Sequence, residues 1–135
     1  MRCFARRHNP LLGLALALLP LFALAQEWEP VTETDAAAYL IDKSSLVAEG
    51  GKKTARILVT GPDGQSLATY GSRIQRVVFD CAGGVMALKE YTLYALPGGQ
   101  GAVLRTESYE DARLDFTRPA AGSVGERLLA TACEP

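Results

Sequence analysis

RIQRVVFDC (residues 73–81), then Ala82-Gly83-Gly84, then VMALKEYTLYAL (residues 85–96), is the stretch whose reading decides the fold. In the first run Gln75, Val77, Phe79 and Cys81 alternate with Ile74, Arg76, Val78 and Asp80, the period of two that sends successive side chains to opposite faces of a strand. Ala82-Gly83-Gly84 is too short for a crossover and rich in glycine, so residues 85–96 are expected to return as the hairpin partner of the first run. Cys81 would close the first strand on the face that carries Val77 and Phe79.

Working outward, the other segments repeat this pattern. Residues 52–60 alternate Ala55, Ile57 and Val59 against Arg56, Leu58 and Thr60, and the Gly61-Pro62-Asp63-Gly64 turn closes them. Trp28 to Val31 reads as a first strand with Pro30 acceptable only at an edge or strand end. Ala37 to Asp42 places Tyr39 and Ile41 opposite Leu40, and Lys43-Ser44-Ser45 reads as a turn. A last strand from Ala102 to Tyr109 follows Pro97-Gly98-Gly99-Gln100-Gly101, a turn rather than a phosphate loop because no helix with a Lys-Ser/Thr step follows. Short strands joined by tight turns favour an antiparallel meander.

The C-terminus changes period. Ser123-Val124-Gly125-Glu126 is a capping box, and Val124, Leu128, Leu129 and Ala132 then make an apolar stripe with Cys133 four residues after Leu129 on the same side. The fold class expected is α+β: about six antiparallel strands with a C-terminal helix tied to one face by a disulfide.

That disulfide follows from the N-terminus. Residues 1–25 read as a secretory signal, with Arg2, Arg6 and Arg7 before an apolar run from Leu11 to Phe22 and Ala23-Leu24-Ala25 before Gln26. Pro10 and Pro20 bracket the run, which argues for cleavage over a membrane span, and Gln26 stands where a lipoprotein needs cysteine, so no membrane anchor is expected after cleavage. The remaining 26–135 make one domain whose only cysteines are Cys81 and Cys133, expected to pair in an oxidising compartment. Closing a loop of roughly 50 residues contributes about 4 kcal/mol in the chain-entropy account, enough to hold a helix too short to persist alone.

Cleavage also settles which chemistry is available. Loss of Arg2, Arg6 and Arg7 takes 14 basic residues to 11 against 15 acidic, a net charge of −4, and phosphate binding runs on clustered Lys and Arg. Lys52-Lys53 with Arg56, and Arg73 with Arg76, read as solvated strand faces, so nucleic acid is not an expected partner. The single histidine, His8, lies in the signal; histidine triads, histidine bases and the usual zinc sites are therefore absent from 26–135. Glu107, Glu110, Asp111 and Asp115 are the densest acidic cluster, but their spacing is not that of a calcium loop, and they read as a polar surface loop. No catalytic residue, metal ligand or cofactor is expected, and no enzyme activity.

The order Glu27-Trp28, then Tyr39 through Leu46, then Val78-Phe79-Asp80-Cys81, then Pro119 to Cys133 around Ser123-Val124-Gly125-Glu126, resembles the surface-adhesin protein E family of Gram-negative bacteria. The resemblance implies a six-stranded antiparallel sheet with the terminal helix tied by the disulfide to its concave side. It implies adhesion to host matrix and serum proteins such as laminin, vitronectin and plasminogen, and a homodimer as an expected assembly. The family's type member carries a lipid anchor, whereas Gln26 suits a free periplasmic or secreted domain. The resemblance makes Tyr39, Asp42, Cys81 and Cys133 structural and transfers no ligand-binding residue. The leading expectation is an exported, adhesin-like, non-enzymatic binding protein. The alternative is a periplasmic domain that binds a small or envelope-derived ligand on the sheet face left open by the helix, through Tyr70, Tyr91 or Tyr94, whose other reading is ordinary strand packing.

Overall fold

The computed structural model describes residues 26–135; the expected signal, residues 1–25, lies outside the described residues. Six strands, β1 (Trp28–Glu33), β2 (Ala38–Glu49), β3 (Lys52–Thr60), β4 (Ser72–Asp80), β5 (Val85–Leu96) and β6 (Gln100–Ser108), precede one α-helix, α1 (Val124–Ala132). Each strand pairs antiparallel with the next, and the spatial order is the chain order, the expected meander. The decisive hairpin forms as expected: Asp80 pairs with Val85 and Phe79 with Met86, while the Gly84 amide donates to the Asp80 carbonyl at 2.8 Å. Gly84 takes φ 66, a torsion that needs no Cβ. Pro30 lies in edge strand β1 beside a register shift, where its missing N–H interrupts no inner ladder.

One face of the sheet carries the core. Ile41, Ala55, Ile57, Val59, Val77 and Phe79 are buried there with Ala37, against Leu128 and Ala132 of α1. Val124, Leu129 and Cys133 pack against the same cluster, so the expected stripe is the face the helix buries. Ser123 caps α1, its Oγ accepting from the Glu126 amide at 3.3 Å. Glu126, however, reaches the Gly122 amide rather than that of Ser123, because the Ser123 amide already donates to the Ala120 carbonyl at 3.1 Å.

Cys81 and Cys133 are bonded, with 5.6 Å between their Cα atoms. Cys81 stands one residue beyond β4, at the exposed start of the turn, rather than inside the strand face with Val77 and Phe79. Cys133 is the residue that ends α1, its amide donating to the Leu129 carbonyl at 3.0 Å. The bond thus joins the last turn of the helix to the tip of the β4–β5 hairpin. Two polar contacts add to it: Lys53 Nζ donates to the Glu134 carbonyl at 3.1 Å and Arg127 to Thr32 Oγ1 at 3.1 Å.

Lys43-Ser44-Ser45 is not the expected turn. β2 runs through it to Glu49, and the pairing with β3 jumps from Asp42–Arg56 to Val47–Thr54. Asp42, only 2% exposed, is the reason. Its carboxylate accepts from the Ser44 amide at 3.1 Å and the Ser44 hydroxyl at 2.5 Å; Ser45 Oγ donates to the Asp42 carbonyl at 2.6 Å and accepts from the Arg56 amide at 2.8 Å. Side chains replace the missing ladder bonds, so the residues that signal a turn make a bulge instead.

Candidate functional site

The helix covers one face, and the pairing register lays out the other. Trp28, Asp42, Arg56, Arg76, Glu90 and Ser108 form one row across all six strands. Leu40, Leu58, Ile74, Thr92 and Thr106 form the next. Paired residues share a face, so each row is a line of neighbouring side chains.

Loops cover this face at both ends. At one, the β5–β6 turn (Pro97–Gly99) folds over β3 and β4: the Gly98 amide donates to Thr60 Oγ1 at 3.1 Å and the Gly99 amide to Ser72 Oγ at 2.8 Å. Ser72 passes its own proton to the Leu96 carbonyl at 2.6 Å, so these buried hydroxyls are satisfied. Gly99, at φ 73, comes so close that a Cβ would stand 2.7 Å from Ile74 Cδ1. At the other end Leu114 and Phe116 stand with Thr54 and Val78 around a cavity of about 250 Å³, and Lys52 lies over the Phe116 ring at 5.7 Å. Between the two covers an open band remains.

Cations line that band. Arg56 lies 3.7 Å from the Asp42 carboxylate and 5.5 Å from the Trp28 ring centre. Lys89 is paired with Asp111 at 2.8 Å. Arg76 is exposed and makes no ion pair among the described residues, although it stands across from Arg56 on one side and Glu90 on the other. Glu90 accepts instead from Ser108 Oγ at 3.2 Å. Two hollows meet at Arg56 and Arg76: one of about 270 Å³ walled by Ile74, Glu90, Thr92 and Tyr94, the other of about 310 Å³ reaching Thr54 and Lys89.

The three tyrosines are not brought together. Tyr94 faces the open band, paired with Ser72; Tyr91, paired with Gln75, is on the helix side; Tyr70 lies in the β3–β4 connection. Tyr91 and Tyr94 are an odd number of residues apart on one strand, which alone sends them to opposite faces. The Tyr91 hydroxyl donates to Glu107, which also accepts from Arg105 and, at 3.5 Å, from Tyr109. The bond to Glu107 holds the Tyr91 phenol above its ordinary pKa; the same bond, with that from Arg105, holds Glu107 below the usual carboxylate range.

The acidic cluster is dispersed likewise. Glu107 serves Tyr91 and Arg105, Asp111 serves Lys89, Glu110 lies 3.9 Å from Arg113, and Asp115 borders a separate helix-side trough. That trough, about 510 Å³, has Val77, Met86 and Leu88 in its lining with Gln75 and Tyr109. Sequence reasoning did not find it, because it forms between β5 and the segment that leads to α1, elements far apart in the chain.

No curated protein sequence matches the chain. Among solved structures, crystal form II of Haemophilus influenzae protein E is similar with a TM-score of 0.53 and 14% identity, over 80% of this chain and 94% of that one. Protein E from non-typeable Haemophilus influenzae gives a TM-score of 0.49 and 14% identity, over 85% and 78% respectively. At such identity the first likeness speaks for the fold alone, but the family model for surface-adhesin protein E matches residues 28–134, nearly all of the described structure. The chain belongs to the surface-adhesin protein E family.

Proposed function

We propose that residues 26–135 are an exported, non-enzymatic, adhesin-like domain that binds a protein partner through the open band of its sheet. Family membership supports an adhesin-like surface protein. The observation that carries the choice of surface is the band itself: the β5–β6 turn and the Leu114–Phe116 segment cover the two ends of the face opposite the helix, yet leave Arg76 exposed between them beside Arg56, Ile74 and Tyr94. Arginine and tyrosine are the side chains that carry binding energy at protein interfaces. The partners proposed are host matrix or serum proteins of the laminin and vitronectin kind. The signal at residues 1–25 would deliver the domain to the periplasm or beyond. A homodimer is compatible with this reading, since β6 is an edge strand with Val103 and Leu104 exposed.

Oxidised residues 26–135, passed over immobilised laminin and vitronectin, should bind saturably; absence of saturable binding to both would sink the adhesin reading. A small or envelope-derived ligand in the same band is the second reading, favoured by the two hollows that meet at Arg56 and Arg76. Native mass spectrometry of protein taken from periplasm would show such a ligand as added mass, and a clean apo mass starting at Gln26 would remove it while supporting the cleavage site.

A further inference from the structure

The open band holds an arrangement that strand packing does not account for. Arg56 and Arg76 are direct cross-strand partners on β3 and β4. Side chains so paired rise from Cβ atoms about 5 Å apart, and like charges there are destabilising. A sheet can tolerate such a pair when each cation has a carboxylate of its own, but only Arg56 has one, Asp42. Asp42 and the Trp28 ring hold Arg56 in place, and Glu90, opposite Arg76, is engaged with Ser108. Arg76 is left cationic, exposed and without a counter-ion among the described residues.

We infer that the Arg56–Arg76 pair is a binding site for a carboxylate carried on an apolar body. A guanidinium offers two parallel N–H donors matched to a planar carboxylate; those of Arg76 have no ion-pair partner among the described residues, while Arg56, held by Asp42, adds a second positive charge beside them. The hollow beside them is lined by Ile74, Thr92 and Tyr94; the Thr92 hydroxyl is bonded to that of Thr106 at 3.2 Å, so Ile74 and the Tyr94 ring supply an apolar wall and Tyr94 a hydroxyl. Asp42 and Glu90, on either side of the arginine pair in the row, set the charge, because they repel a multiply charged phosphate or sulfate more than a single carboxylate. Such a ligand could be a free carboxylic acid or an acidic side chain of a protein surface; the recognition chemistry is shared, and it stands whether or not laminin or vitronectin binds.

N-acetyl-phenylalanine, titrated into isotope-labelled oxidised residues 26–135 and followed by amide NMR shifts, tests the site directly. Saturable shifts centred on Arg56, Arg76, Thr92 and Tyr94 are expected, with N-acetyl-phenylalaninamide and inorganic phosphate at least tenfold weaker and Arg76→Gln abolishing the response. Because Arg76 is exposed, Arg76→Gln should fold normally and melt no lower than the parent, a result that a purely structural arginine would not give. Equal shifts with the amide, shifts centred elsewhere, an undiminished response in Arg76→Gln or a lowered melting temperature for that variant would each overturn the site. Replacing the probe with a short peptide bearing one glutamate distinguishes the sources: tighter binding than the free acid assigns the site to a protein partner, and weaker binding assigns it to a small acid.

Discussion

At the scale of single residues, Asp42 does more than any other polar side chain. It satisfies Ser44 twice, pairs with Arg56 and sets the bulge that keeps β2 in register with β3. Asp42→Ala should therefore cost about 2–3 kcal/mol in urea unfolding, since it strands a hydroxyl and a half-buried guanidinium together; a loss under about 0.5 kcal/mol would mean the bulge holds without it. Glu107 makes a different prediction. A carboxyl whose pKa is lowered by folding adds stability above its unfolded pKa and loses it as pH falls through the folded value. A phenol whose pKa is raised, as for Tyr91, adds stability below its unfolded pKa and loses it as pH rises through the folded value. The melting-temperature gap between the parent and Glu107→Ala should thus be small but present at neutral pH, close below about pH 4 and narrow above about pH 10. A gap that stays flat across that range would show that the contact is not what stabilises β5 against β6.

Among the elements, the β5–β6 turn is the one whose role exceeds its sequence signal. Pro97-Gly98-Gly99 is legible as a turn, but nothing local says that it folds back on Thr60 and Ser72, which are 38 and 27 residues away from their partner amides. Gly71 shares the site: a Cβ there would lie 2.3 Å from the backbone of Leu96, so Gly71→Ala has to separate two chains rather than displace a side chain. It should destabilise by about 1–3 kcal/mol or more by calorimetry, as overpacking does, whereas Gly50→Ala meets no neighbour and pays only for its positive φ. Equal losses at the two positions would mean that the turn is not docked. The elements legible in the sequence were those with a clean period: β3, β4, the hairpin and the stripe on α1. β2 reads short in the sequence because Lys43-Ser44-Ser45 carries turn chemistry, which Asp42 and the Arg56 amide redirect into a bulge. The face of Tyr91 was legible too, since its spacing from Tyr94 is odd, but the hollow at Tyr94 depends on register across three strands and so was not.

For the whole molecule, the disulfide and the open band are two sides of one arrangement. Bonding Cys133 to the hairpin tip keeps α1 on the Phe79 face and leaves the opposite face without a helix. Cys81→Ser should cost about 2–4 kcal/mol and lower the melting temperature by about 10 °C or more, with faster amide exchange in α1 before the sheet; an unchanged melt would mean that Leu128 and Ala132 dock the helix unaided. The family places the chain among adhesin-like surface proteins, and the proposed partner meets it on the open band between the two covers. Charge reversal on each face reports on that most directly. In a binding titration of immobilised vitronectin and laminin, Arg76→Glu on the open band should weaken binding at least tenfold, while Arg127→Glu on the helix should leave it within about twofold. Equal losses, or a larger loss for Arg127→Glu, would contradict the open face as the binding surface.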